Sequence, residues 1–154
     1  MRRLPLVAAV AGFTASALLH LLSFTPWGAE AGGRAVWVLG VGAFLLALTI
    51  LARLRRAEGV GQGRWGRLAL LDWRAMIAAV PPGLRFMVVG TAVYAWMNFV
   101  LCVMIEVPAP ARTAITLRMA SGHLIFFFLV PLIFFRFVEP GLAAARSGHE
   151  GPHP

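Results

Sequence analysis

Leu4 to Phe24 is a largely apolar run of 21 residues set behind Arg2 and Arg3, and runs of this kind recur three more times along the chain. A bilayer core about 30 Å thick needs about 20 apolar residues of α-helix at about 1.5 Å per residue. Backbone in lipid must satisfy its own hydrogen bonds, so such runs admit helices and exclude open sheets. The expected fold is therefore all-α, a polytopic four-transmembrane-helix bundle with spans at about 4–24, 35–52, 86–105 and 119–138. A cleaved signal peptide is the rival reading of the first run, since Ala29, Glu30 and Ala31 resemble a cleavage region. The run is longer than the usual apolar core of about 7 to 15 residues.

Composition agrees with a chain that sits mostly in lipid: 60% of its 154 residues are hydrophobic, 13% are charged and the mean hydropathy is +0.80. All 14 basic residues are arginine and the formal net charge is +8. Nucleic-acid binding would gather them into one patch with aromatic neighbours, whereas here they flank the apolar runs, so no nucleic acid is expected. Eleven fall on one set of alternate sides: two at the N-terminus, seven between Arg53 and Arg85, and Arg136 with Arg146. Only Arg34, Arg112 and Arg118 fall on the other. The positive-inside rule then puts both termini in the cytoplasm.

Small residues mark the expected helix contacts. Ala8, Gly12 and Ser16 repeat every fourth residue, and the next step lands on His20, which should point inward. Pro26, Gly28, Gly32 and Gly33 read as turn chemistry joining the first two spans, with Trp27 as an interfacial aromatic. In the second span Gly40 and Gly42 offer close contact. Residues 53–85 form a basic cytoplasmic loop within a single transmembrane domain, residues 1–138. Arg53, Arg55 and Arg56 could hold lipid headgroups there, and residues 68–80 suit a short interfacial helix. Residues 139–154, rich in Gly, Pro and His, read as a solvated, disordered tail.

Polar side chains concentrate in the last two spans. Gly90, Tyr94, Asn98, Cys102 and Glu106 recur every four residues and trace one inward face of the third helix. Arg118, Ser121, Gly122 and His123 open the fourth, and Pro131 is expected to kink it. With His20 and His123 each about four residues inside the outer helix ends, one polar cluster is expected in the outer leaflet: His20, Tyr94, Asn98, Cys102, Glu106, Arg118, Ser121 and His123.

The cluster has three readings. It can be a hydrogen-bonded lock between helices, because polar groups in lipid must find partners, and the chain is then an interaction or assembly component, a homo-oligomer or the companion of another membrane protein among the membrane lipids. It can be a centre for haem b, with His20 and His123 as axial ligands, or for a transition metal such as zinc or copper, with Glu106 and Cys102 beside the two histidines, and the chain is then an electron-transfer module. It can also line a path for protons or small solutes. Catalysis has little support, since the sequence carries no HExxH, no GxxxxGK[ST] and no nucleophile triad pattern. One cysteine, Cys102, excludes a disulfide within the chain.

The stretch Tyr94, Ala95, Trp96, Met97, Asn98, Phe99 and the stretch Arg118 to His123 resemble YxxxNF-like and RxxSGH-like segments of small bacterial four-transmembrane-helix inner-membrane proteins of uncharacterised function. The resemblance spans the third and fourth helices. It implies a bacterial inner-membrane location and marks Tyr94, Asn98, Arg118, Ser121, Gly122 and His123, with no reaction or ligand attached.

Overall fold

The computed structural model describes residues 3–58, 78, 80–104, 109–141 and 143, with backbone alone at 26–31, 56–58 and 109–111. These residues form α1 (Leu4–Leu22), α2 (Pro26–Glu58), α3 (Pro82–Met104) and α4 (Ala109–Ile133), which continues into a π-helical turn at Phe134–Val138. All four helices are long and apolar enough to cross a membrane. The chain is thus a four-helix multi-pass membrane bundle, as its apolar runs predict.

Side-chain meetings fix the directions of the helices. Gly32 lies against Leu117, Gly42 against Phe128 and Arg53 against Glu139, so α2 and α4 run parallel. Gly12 meets Phe128 while His20 meets Ser121, so α1 is antiparallel to α4. Cys102 near Ile115 and Asn98 near Arg118 make α3 antiparallel to α4 as well. The result is an up-down-up-down bundle with α4 at its centre. The apolar window of α4 is 50% buried, whereas those of α2 and α3 are 11% buried.

The core is built on the aromatic side chains of α4. Phe128, Phe134 and Phe135 pack with Ala9 of α1 and with Ala43 and Leu46 of α2. Small residues on the neighbours make this possible: a Cβ on Gly12 would collide with the Phe128 ring. The buried face of α1 runs Ala9, Gly12, Ser16, Leu19 and His20. Ala8, expected on that face, is exposed, because the stripe drifts as 3.6 residues per turn requires.

The connection between the first two helices is far shorter than expected. Only residues 23–25 lie outside helix, and the predicted turn at Gly28, Gly32 and Gly33 is helical. Local chemistry makes the short turn possible. The Ser23 hydroxyl donates to the His20 carbonyl at 2.6 Å and the Thr25 hydroxyl to that of Leu22 at 2.7 Å, taking up carbonyls that a helix end leaves free. Pro26 then starts α2, where its missing N–H costs nothing. Gly32 serves packing: a Cβ there would stand 2.5 Å from Leu117 Cδ2.

Other boundaries also shift outward. The fourth helix begins at Ala109 instead of 119, so Arg112 and Arg118 are helical. It runs through Pro131, whose missing N–H leaves the Phe127 carbonyl without its helical donor, and widens into the π-helical turn three residues later. Glu139 to Gly141 remain helical, and Glu139 pairs with Arg53 at 3.3 Å. Arg53 is therefore engaged within the protein and Arg55 is exposed, while the Arg56 side chain lies outside the described residues. Most of the expected interfacial helix at 68–80 and of the tail beyond Gly141 lies outside them too. Arg85 ties the chain preceding α3 by donating from Nε to the Val80 carbonyl, 2.9 Å, and from Nη2 to that of Ala78, 3.2 Å.

Candidate functional site

Where α1, α3 and α4 approach one another, His20 bridges all three helices. Its Nδ1 is 2.9 Å from Ser121 Oγ on α4, and its Nε2 is hydrogen-bonded to the Tyr94 hydroxyl on α3. The directions of these bonds follow from donor accounting. Ser121 Oγ is 2.7 Å from the Leu117 carbonyl, and a carbonyl only accepts, so the serine proton points there. Ser121 Oγ is then the acceptor for the His20 Nδ1–H. In a neutral imidazole the other nitrogen is an acceptor, and the Tyr94 O–H donates to it. One directed chain results: Tyr94 to His20, His20 to Ser121, Ser121 to the backbone of α4.

A second tie lies beside the first. Asn98 Nδ2 donates to the Arg118 carbonyl at 3.1 Å, and the Cys102 thiol, one turn along α3, reaches Asn98 Oδ1 and the Ile115 carbonyl at 3.9 Å each. Gly122 makes this approach possible: a Cβ there would stand 2.6 Å from Asn98 Nδ2 and 3.5 Å from His20 Cε1. The glycine in the Arg118 to His123 stretch is thus the space into which two other helices place their polar groups.

Arg118 closes the group. Its guanidinium carbon stands 4.0 Å from the centroid of the Phe24 ring, a cation–π contact with the end of α1. Its Nε is buried and has no hydrogen-bond partner among the described residues. His20 also meets the Phe24 and Tyr94 rings edge-on at 5.3 and 5.5 Å. His20 is 7% exposed and Ser121 0%, so Tyr94, at 42%, is where the directed chain reaches the surface.

The predicted cluster is brought together in part. His20, Tyr94, Asn98, Cys102, Arg118 and Ser121 are joined as described, and Glu106 lies outside the described residues. His123 is directed elsewhere. Residues 121 and 123 differ by about 200° around a helix, so one cannot share the face of the other. The His123 Nδ1 is 2.8 Å from the Met119 carbonyl of its own helix, and its ring sits beside Phe99 and Phe127. The matching membrane depth expected of the two histidines thus does not make them a pair. Gly90, expected on the inward face of α3, is exposed; that face is carried by Val88, Ala95 and Asn98. Tyr94 lies twelve residues after Pro82 and ten before Met104, whereas Cys102 is two residues before Met104 and His20 two before Leu22, the last residue of α1.

Two features escape sequence reading. Phe24 as the platform for Arg118 has no local signal, because 94 residues separate them. Along the opposite side of α4, an open apolar groove of ≈ 740 Å³ lies against α2, with His123 in its wall. Gly40, expected at a helix contact, instead lines this groove, and a Cβ on it would meet nothing within 4 Å. Among the described residues no group of three or more His, Cys, Asp and Glu side chains converges as a metal set would.

Comparison with known proteins returns no matching family model, no matching curated protein and no matching solved structure.

Proposed function

We propose that the chain is an interaction or assembly component of a bacterial inner membrane, with both termini in the cytoplasm, and that the His20 network is the joint holding α3 in position for a partner helix. The uneven distribution of arginines supports the orientation. The observation that carries the role is that both nitrogens of His20 are taken up by side chains of two other helices. A ring used in this way holds helices together and has no lone pair left for a ligand.

The other readings ask more of the same residues. A haem or metal centre held by both histidines needs His20 to release Tyr94 and His123 to leave the groove side of α4 for the face that carries Ser121. A proton path from Tyr94 ends at the Leu117 carbonyl, which has no proton to pass on. The serine of a nucleophilic site would direct its own proton at the imidazole, whereas Ser121 directs it at the backbone.

Tied in this way, α3 leaves Phe86, Trp96 and Met104 exposed by 85%, 63% and 76% on its outer sides. A photo-crosslinking residue placed at Trp96 in native membranes is expected to give one discrete protein product, either a second copy or a partner. The same residue at Leu45 of α2 serves as comparison, and the Trp96 product is expected to weaken in Tyr94→Phe. Crosslinking to lipid alone at both positions removes the assembly reading. Appearance of a Soret band on haemin titration, lost in both His20→Ala and His123→Ala, replaces it with the cofactor reading.

A further inference from the structure

The groove between α2 and α4 has a polarity that lipid filling does not use. Val36 and Ile50 mark its length on α2, about 21 Å of helix. On α4 it extends from Ala120 to Pro131, so His123 stands toward one end of an otherwise apolar channel. The His123 Nδ1 faces the Met119 carbonyl at 2.8 Å, and since that oxygen only accepts, the ring proton is on Nδ1. Nε2 of the neutral ring is then an acceptor, and it has no hydrogen-bond partner among the described residues. An acceptor at one end of a long apolar channel fits an elongated molecule with a single donating head.

The surroundings of His123 narrow the head further. Trp37 and Phe44 of α2 and Phe127 of α4 line the groove, and Phe99 stands 5.7 Å from the imidazole. Flat aromatic walls favour a flat ring, and a phenolic O–H, with an ordinary pKa of about 10, is a stronger donor than an aliphatic alcohol. We propose that this groove binds a hydroquinone carrying a long apolar tail, its hydroxyl donating to His123 Nε2 and its tail lying between α2 and α4 toward Ile50 and Pro131. A groove of this volume lies within the range that holds ligands of this size. The corresponding quinone offers only acceptors, so the site discriminates in favour of the reduced form.

The test measures retention of tritium-labelled 2-decyl-1,4-benzohydroquinone by the full chain in nanodiscs, without oxygen, against empty nanodiscs. The oxidised quinone and the dimethyl ether of the hydroquinone are run beside it. In the wild-type protein the hydroquinone is expected to bind at least tenfold more tightly than either. His123→Phe should bring it down to the level of the ether. Gly40→Phe, placed where a side chain meets open space, should abolish retention of all three with helical content unchanged. Equal retention of the three probes by the wild-type protein overturns the proposal and leaves a groove filled by acyl chains; so does tighter binding of the quinone. The comparison of probes on the wild-type protein needs no variant to fold.

Discussion

His20 and Ser121 are 101 residues apart in the chain and 2.9 Å apart in the bundle, and their hydrogen bond runs from the imidazole to the hydroxyl. Because the Ser121 hydroxyl donates its one hydrogen bond to the Leu117 carbonyl, the pair cannot be reversed without breaking a bond on α4. Ser121→Ala removes the acceptor and leaves a buried N–H unpaired; Tyr94→Phe leaves Nε2 unpaired. Each should destabilise the bundle by about 1–3 kcal/mol, the usual cost of an orphaned buried polar group. In a double-mutant cycle on His20→Phe and Ser121→Ala the coupling should be about 0.6–2 kcal/mol, the range found for hydrogen bonds between membrane helices. Reversible unfolding in mixed micelles measures both, and strict additivity would show that the contact contributes nothing.

Gly122→Ala tests the second tie. Its methyl group would stand 2.6 Å from Asn98 Nδ2, too close for the amide to keep its bond to the Arg118 carbonyl. A loss of about 1–3 kcal/mol is expected from the displaced, buried amide. The same substitution made in Asn98→Ala should cost much less, because the obstructed group has gone. If Gly122→Ala is equally harmful in both backgrounds, the glycine serves some other contact.

Much of this was legible in the sequence for reasons of period and length. Apolar runs of about 20 residues dictate spanning helices whatever packs against them, and a four-residue repeat brought Gly12, Ser16 and His20 to one buried stripe. What was not legible depends on neighbours. Glycines at 28, 32 and 33 have turn chemistry in isolation, but in the bundle Gly32 admits Leu117, and that contact favours continuing the helix. His20 and His123 had similar expected depths, yet depth says nothing of azimuth, and the 200° between Ser121 and His123 sends one to the joint and the other to the groove. Phe24 beneath Arg118 could not be read locally, since the pairing exists only once α1 and α4 are in contact.

Glycines without a close neighbour should behave in the opposite way to Gly122. Gly33 and Gly40 are helical, and a Cβ on either meets nothing within 4 Å. Alanine at such positions narrows the unfolded ensemble and favours helix, so each substitution should stabilise α2 by about 0.4–1 kcal/mol. Gly12→Ala should destabilise instead, because its methyl group runs into the Phe128 ring. Unfolding midpoints of the three variants, measured side by side, separate packing glycines from permissive ones.

Ser16 gives the sharpest contrast with Ser121. Both hydroxyls are wholly buried, but Ser121 Oγ is bonded to Leu117 and to His20, whereas Ser16 Oγ has no hydrogen-bond partner among the described residues. An unpaired hydroxyl in an apolar interior is unfavourable by about 1–3 kcal/mol, and alanine at a small-residue helix contact removes it without adding volume. Ser16→Ala should therefore be neutral or stabilising by about 1 kcal/mol, while Ser121→Ala destabilises. Unfolding of the two variants under one set of micelle conditions decides the matter. A clear loss of stability in Ser16→Ala would mean that this hydroxyl has a partner in the membrane, and since it lies on the face of α1 that carries His20, the polar joint would then extend one turn further along that helix.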